Sequence, residues 1–347
     1  MIGTGRGSGC VVMTTLEAPR GSIYAELARQ VKLAGLMRRR PGYYAARIAV
    51  TVGGYAAAWA AVVLIGASWW VLLVAPAMAV AYTQLAFLGH DAGHRQIFRA
   101  GPVNDLFGIF LGDLGIGLSF GWWIDKHNRH HAHPNQEGKD PDISPGALVF
   151  VASRSGRTGI VRLWVRLQAY LFFPLLFLEG PNLLVGSLRA LAGRGPAARR
   201  RALEIPLFVL HVGGYFAVLF LTLTPGQAIA FIAIHQGLFG LYMGCSFAPN
   251  HKGMPTLAAT DTTDFLRRQV LTSRNVDGGR FVDGVLGGLN YQIEHHLFPS
   301  MPRPNLRRAQ PLIRRFCADH DVDYTQTSLI DSYRQALRHL NDVGRRA

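Results

Sequence analysis

Two pairs of charge-free apolar runs constrain this chain more than any other feature. Ile48–Gly66 and Trp69–Leu88 form the first pair, parted only by Ala67 and Ser68. Ile205–Leu223 and Ala228–Phe247 form the second, joined by Thr224-Pro225-Gly226-Gln227. Each run holds about twenty residues, enough for a helix to cross ~30 Å of hydrocarbon. The short connections make each pair a hairpin. Backbone in lipid must satisfy its own hydrogen bonds, so the expected fold class is an all-α integral membrane protein with four transmembrane helices as two hairpins.

Lys and Arg are absent from both hairpin tips and crowd their flanks, as Arg38, Arg39, Arg40 and Arg47 before the first pair and Arg199, Arg200 and Arg201 before the second. The positive-inside rule then places both termini and the long middle segment in the cytoplasm of a multi-pass cell-membrane protein. Two further apolar stretches carry interruptions. Phe107–Trp123 contains Asp113 among its glycines, and Tyr170–Leu188 contains Pro174, Glu179 and Pro181. Both read as interfacial or re-entrant pieces. Tyr24–Met37, ahead of the Arg38–Arg40 run, reads as an amphipathic helix lying on the membrane. Residues 1–23 are expected to be a flexible N-terminus, 24–325 one domain, and 326–347 a C-terminal tail.

The chain has 347 residues, 49% hydrophobic and 16% charged, with a formal net charge of +15. Its basic residues are scattered beside apolar segments and no nucleic-acid motif is visible, so the anionic partner expected is a membrane surface, with no nucleic acid. Cys10, Cys245 and Cys317 lie far apart without a CxxC, which argues against disulfides and thiolate metal sites and fits reducing, cytosolic exposure. Residues 1–15 lack an apolar h-region, so no cleavable signal peptide is expected, and Met13 is an alternative start.

The histidines carry the chemistry. His90 and His94 follow the second run; His127, His130 and His131 come next, with His133 beside them; His295 and His296 lie near the C-terminus. Positions three or four apart share one helix face. Seven imidazoles from three segments exceed the four ligands of a tetrahedral zinc and suit a site holding two metal ions. With four spans, all three clusters lie on one side of the bilayer, the first continuing a span into a cytosolic helical cap. His251, directly past the fourth run, stands where a further ligand is needed. His133 lies beside helix-breaking Pro134 and is left out of the set. His211 and His235 fall inside predicted spans as neutral histidines hydrogen-bonded between helices, and His320 and His339 are expected at the surface. Asp91, Asn128, Gln292 and Glu294 stand within the clusters, where they can orient imidazoles from behind.

The motifs HDAGH (90–94), HNRHH (127–131) and QIEHH (292–296) resemble the three histidine boxes of the membrane fatty acid desaturases in order, spacing and relation to two hairpins. Lys139-Asp140-Pro141-Asp142, Asn250-His251 and Leu297-Phe298-Pro299 extend the resemblance, which covers roughly residues 24–325. It implies a centre of two non-haem iron ions bound by His90, His94, His127, His130, His131, His295 and His296, with His251 as a further ligand. It also implies O2 as co-substrate and removal of two hydrogens from adjacent carbons of a fatty acyl chain, presented as acyl-CoA or a lipid-linked acyl group. The glutamine opening the third box resembles the front-end subgroup, many of whose members carry a fused haem cytochrome with a His-Pro-Gly-Gly motif. No such motif occurs in this sequence, so the expected electron source is an external ferredoxin-like or similar donor with its reductase. Arg154, Arg157, Arg162 and Arg166 are expected to face lipid headgroups, or a CoA phosphate. Hydroxylation or oxygenation of a lipid or carotenoid on the same scaffold is the alternative within enzymes. A metal transporter is the alternative outside them, but the bilayer midplane offers it only His211, His235, Gln84 and Gln236.

Overall fold

The structure, a computed structural model, describes residues 22–151, 158–193 and 200–346. The expectations for residues 1–21 (Cys10 and Met13 included), Arg154, Arg157 and Arg199 fall outside them. Fourteen α-helices and one two-stranded sheet occur among the described residues.

The chain enters through α1 (Ile23–Leu33), N-capped by Ser22. The first hairpin is α2 (Pro41–Ile65) and α3 (Val74–Gly93), the latter led by a 3-10 turn at Trp69–Leu73. Gly66, at φ +59°, supplies the left-handed residue that reverses the chain. α4 (Gly101–Ile109) runs on as a π-helical segment, Phe110–Ile116, and α5 (Phe120–Ala132) follows at a bend of 114°. Its tip lies against the helix that carries His211, whose Nδ1 donates to Leu114 O at 2.8 Å. This bent pair contains the stretch Phe107–Trp123, expected as interfacial or re-entrant; by length and composition the pair fits either one broken span or a re-entrant loop.

α6 (Gly159–Leu176) and α7 (Glu179–Ala192) precede the second hairpin, α8 (Arg201–Thr222) and α9 (Pro225–His251). The side chain of Gln227 closes the capping box of α9 and donates to Ala67 O at 3.0 Å, tying the two hairpin tips together. The expected runs coincide with these hairpin helices apart from their ends at Gly66 and Leu223 and the 3-10 turn that opens the second run, and the helices extend beyond them at the histidine end. Tyr82, Leu88, Leu219 and Phe231, all fully buried, lie in their shared core.

Among the described residues five helices are long and apolar enough to cross a membrane, the four hairpin helices and α6. The stretch Tyr170–Leu188, expected as one interfacial or re-entrant piece, is divided between the end of α6 and the start of α7. α6 lies antiparallel along the C-terminal helix, Leu329–Arg345, with Gln168 Nε2 donating to Leu340 O at 2.9 Å and Phe173 packed against Tyr333.

The cap is built from α10 (Phe265–Leu271), β1 (Asn275–Val276), α11 (Arg280–Val285), α12 (Gln292–Leu297), α13 (Arg303–Asp319), β2 (Gln326–Thr327) and α14 (Leu329–Arg345). β1 and β2 pair in parallel, Asn275 opposite Gln326. Two expectations are corrected here. The apolar face of α1 meets protein: Leu27 and Val31 are fully buried with Met301, Leu306 and Ile313 of the cap. The residues expected as a tail form α14, whose Ser332, Ala336, Leu340 and Val343 are buried at helical spacing.

Candidate metal centre

Four segments bring imidazoles to one end of the hairpins. His90 lies on the last turn of α3 and His94 caps it; His127, His130 and His131 line one face of α5. His251 ends α9, and α12 is short and fully buried, so His295 and His296 are held at 1% exposure. Ligand-capable nitrogens of His90, His94, His127, His131 and His295 lie within 4.8 Å of one another, and those of His130, His251 and His296 form a second such group. The stacked rings of His131 and His296, 4.2 Å apart, join the groups. All eight candidate ligands are thereby brought together. His133 is not: its Nδ1 sits 2.9 Å from Gln136 Oε1, facing away with Arg268. His211 and His235 sit between helices as expected, the latter hydrogen-bonded to Tyr215 Oη at 2.8 Å. His320 and His339 are half-buried rather than free at the surface, each donating to a backbone carbonyl, Phe316 O and Phe150 O.

The residues behind the rings set which nitrogen carries the proton. His251 Nδ1 is 3.0 Å from Thr272 O, a carbonyl that only accepts, so the N–H is on Nδ1. Gln269 donates through Nε2 to His131 O, leaving its Oε1 to accept from His296 Nδ1 at 2.9 Å. Both outer nitrogens are thus protonated, and the two Nε2 lone pairs face each other at 3.1 Å. Nε2 pairs also meet at 2.9 Å between His94 and His127 and at 3.1 Å between His131 and His295. Burial, then neighbouring imidazoles, pushes His94, His295 and His296 well below the ordinary histidine range, so these rings are neutral at pH 7. His90 Nε2 is buried without a protein partner. Neutral nitrogen donors with facing lone pairs, in a site buried apart from the half-buried His127, fit a borderline-soft cation such as iron, and their number fits two.

Behind His130, Asp140 accepts from Nδ1 at 3.1 Å, and Asp142 approaches to 3.5 Å. Of the four residues expected to orient imidazoles from behind, Asp91 faces His90 Nδ1 at 3.5 Å; Gln292 stands on the inner side instead, its Nε2 donating at 2.9 Å to His251 Nε2, the nitrogen turned on His296. Asn128 is exposed and turned outward. Glu294 supports the backbone instead, bound by Asn275 and Tyr324, its carboxyl raised by burial to about 7. Asp140, Gln269 and Thr272 carry no signal of their own in the sequence, beyond the place of Asp140 in the Lys-Asp-Pro-Asp motif.

A narrow apolar cleft opens onto His90, lined by Leu85, Gly89, Gly112, Trp123 and Phe247. Its volume of about 20 Å³ is room for little more than one water, so a longer guest enters only by displacing side chains.

Residues 67–328 match the model of the fatty acid desaturase family. The chain is 30% identical to an acyl-lipid (9-3)-desaturase of Physcomitrium patens over 88% of its length and 59% of that protein's. It is 31% identical to a Delta(6)-fatty-acid desaturase of Caenorhabditis elegans over 79% of its length and 65% of the relative's. Identity to a Delta 8-(E)-sphingolipid desaturase of Candida albicans is 29%, over 77% and 49%. The chain therefore spans about half to two thirds of the length of these relatives.

Proposed function

The chain belongs to the fatty acid desaturase family, and from that premise we propose that it inserts a cis double bond into a fatty acyl chain at a histidine-ligated di-iron centre. The ligands proposed are His90, His94, His127, His131 and His295 in one group and His130, His251 and His296 in the other. The observation that carries the reading is the meeting of buried, neutral imidazoles with their Nε2 lone pairs turned on one another. The overall balance is R–CH2–CH2–R′ + O2 + 2 e− + 2 H+ giving R–CH=CH–R′ + 2 H2O, with both electrons from an external donor such as a ferredoxin-like protein and its reductase. Iron supplies the activation of O2 that an unactivated C–H bond requires.

The chain's own residues do the rest. Asp140, Gln269 and Thr272 O hold the N–H of His130, His296 and His251 on Nδ1 and fix each ring. Trp123 stacks on His127 at 4.6 Å and borders the apolar cleft, shielding the rings, and a methylene chain reaches them by displacing side chains of that cleft. The acyl group arrives as acyl-CoA or as a lipid, the bilayer being its reservoir.

The topology proposed is four spans with both termini and the centre cytoplasmic. α6 passes the length test, yet it rests on α14, whose Asp331 and Arg334 are exposed and incompatible with lipid. α6 accordingly lies at the interface, and the histidine end of each hairpin faces the same side.

Expression in a host lacking the activity, with total fatty acid methyl esters profiled and double bonds mapped, tests the function. A new product two mass units lighter than its precursor is the expected result. A product sixteen units heavier would replace the reading with hydroxylation, and an unchanged profile in an iron-loaded, reductant-supplied membrane would reject it.

A further inference from the structure

Box one is held to the segment after box three by a buried ion pair. Arg303, the first residue of α13, is 6% exposed and Asp91 is 2% exposed. Arg303 Nη2 lies 2.7 Å from Asp91 Oδ2 and donates to Phe87 O at 2.8 Å, 216 residues away along the chain. Its backbone N–H is shared between Gln96 Oε1 at 3.1 Å and Tyr44 Oη at 3.3 Å. Gly288, at φ +79°, leaves the space, since a Cβ there would stand 2.6 Å from Arg303 Cγ. The other oxygen of Asp91 faces His90 Nδ1 at 3.5 Å, while His90 Nε2 is buried with no protein partner.

We infer that Arg303 is a positioning residue: by pairing with Asp91 it holds that carboxylate aimed at His90 Nδ1, turning the His90 Nε2 lone pair toward the metal centre. The inference rests on the reading of His90 as a ligand. The pair ties α13 to the end of α3 and so fixes where the Asp91 carboxylate points. A carboxylate oxygen facing Nδ1 favours the N–H there, the arrangement that orients a ligating imidazole.

The test uses the full chain in detergent, loaded anaerobically with Fe(II), and follows iron release to a coloured chelator in the cold. Metal-free melting temperature is measured on the same samples. The proteins are wild type, Asp91→Asn, Arg303→Gln and the double variant. Release about 10- to 100-fold faster is expected for Asp91→Asn and Arg303→Gln. In the double variant no buried charge is left unpaired, so its metal-free melting temperature recovers toward wild type while release stays fast. That separation distinguishes positioning from scaffolding. Release at the wild-type rate in Asp91→Asn, or release that simply follows melting temperature across the set, overturns the inference. If Arg303→Gln does not fold, Asp91→Asn and the double variant decide the matter. Wild type that takes up no iron would remove the metal reading itself.

Discussion

At the scale of single residues, a ligand is only as good as the group behind it. Asp140 accepts from His130 Nδ1 and also from the backbone N–H of Asn135 at 2.7 Å, so one carboxylate fixes both a ring and the turn after it. Asp140→Asn is expected to lower retained iron at least tenfold under chelator challenge, with helix content by circular dichroism unchanged; full retention would show that His130 needs no support. His90→Ala, His131→Ala and His296→Ala should each abolish the new double bond while the protein still reaches the membrane. Product near wild-type yield in any of them strikes that residue from the ligand set. The eight clustering imidazoles are legible in the sequence because helical spacing declares a shared face. Asp140, Gln269 and Thr272 are not, because their contact with a ring is made by tertiary packing between segments far apart in the chain.

At the scale of elements, length and hydropathy reveal the hairpin helices, yet cannot say what an amphipathic face will meet. α1 reads as a membrane-surface helix and instead covers the cap, with Tyr24 Oη donating to Leu297 O at 3.0 Å. α14 falls in a segment that reads as a tail, yet it seats Leu340 and Gly344 directly on α6. Ending the chain at Ser328 would bare Val165 and Phe172 on α6. Loss of a monodisperse peak on size exclusion is expected, and an unchanged peak would make α14 dispensable. α9 crosses α7 at a contact with no space for a side chain, since a Cβ on Gly240 would stand 2.5 Å from Gly180 N and 2.6 Å from Leu176 O. Both neighbours are backbone and cannot turn aside. Gly240→Val should cost about 1–3 kcal/mol or more, read as a lower melting temperature, and a neutral result would mean the helices part freely.

At the scale of the whole molecule, the hairpin tips are tied at one end through Gln227 and Ala67, and the histidines lie at the other. Single cysteines at Ala67 and Arg38, in a chain whose own cysteines are replaced, should react with a membrane-impermeant maleimide from opposite sides of the bilayer; labelling of both from one side would break the four-span topology. Removing bound iron should lower the melting temperature, because a ligand held only by the folded state stabilises it by mass action. An identical transition with and without iron would leave no site to fill. The order in which the ligands are synthesised has one more consequence. His295 and His296 sit on a helix made some two hundred residues after His90, and neither histidine group is complete without them. On the proposed reading, both hairpins enter the bilayer around half-built ligand sets while a ribosome is still extending the chain. Metallation is then a late event in biogenesis, and nascent chains stalled before residue 295 should leave the translocon iron-free.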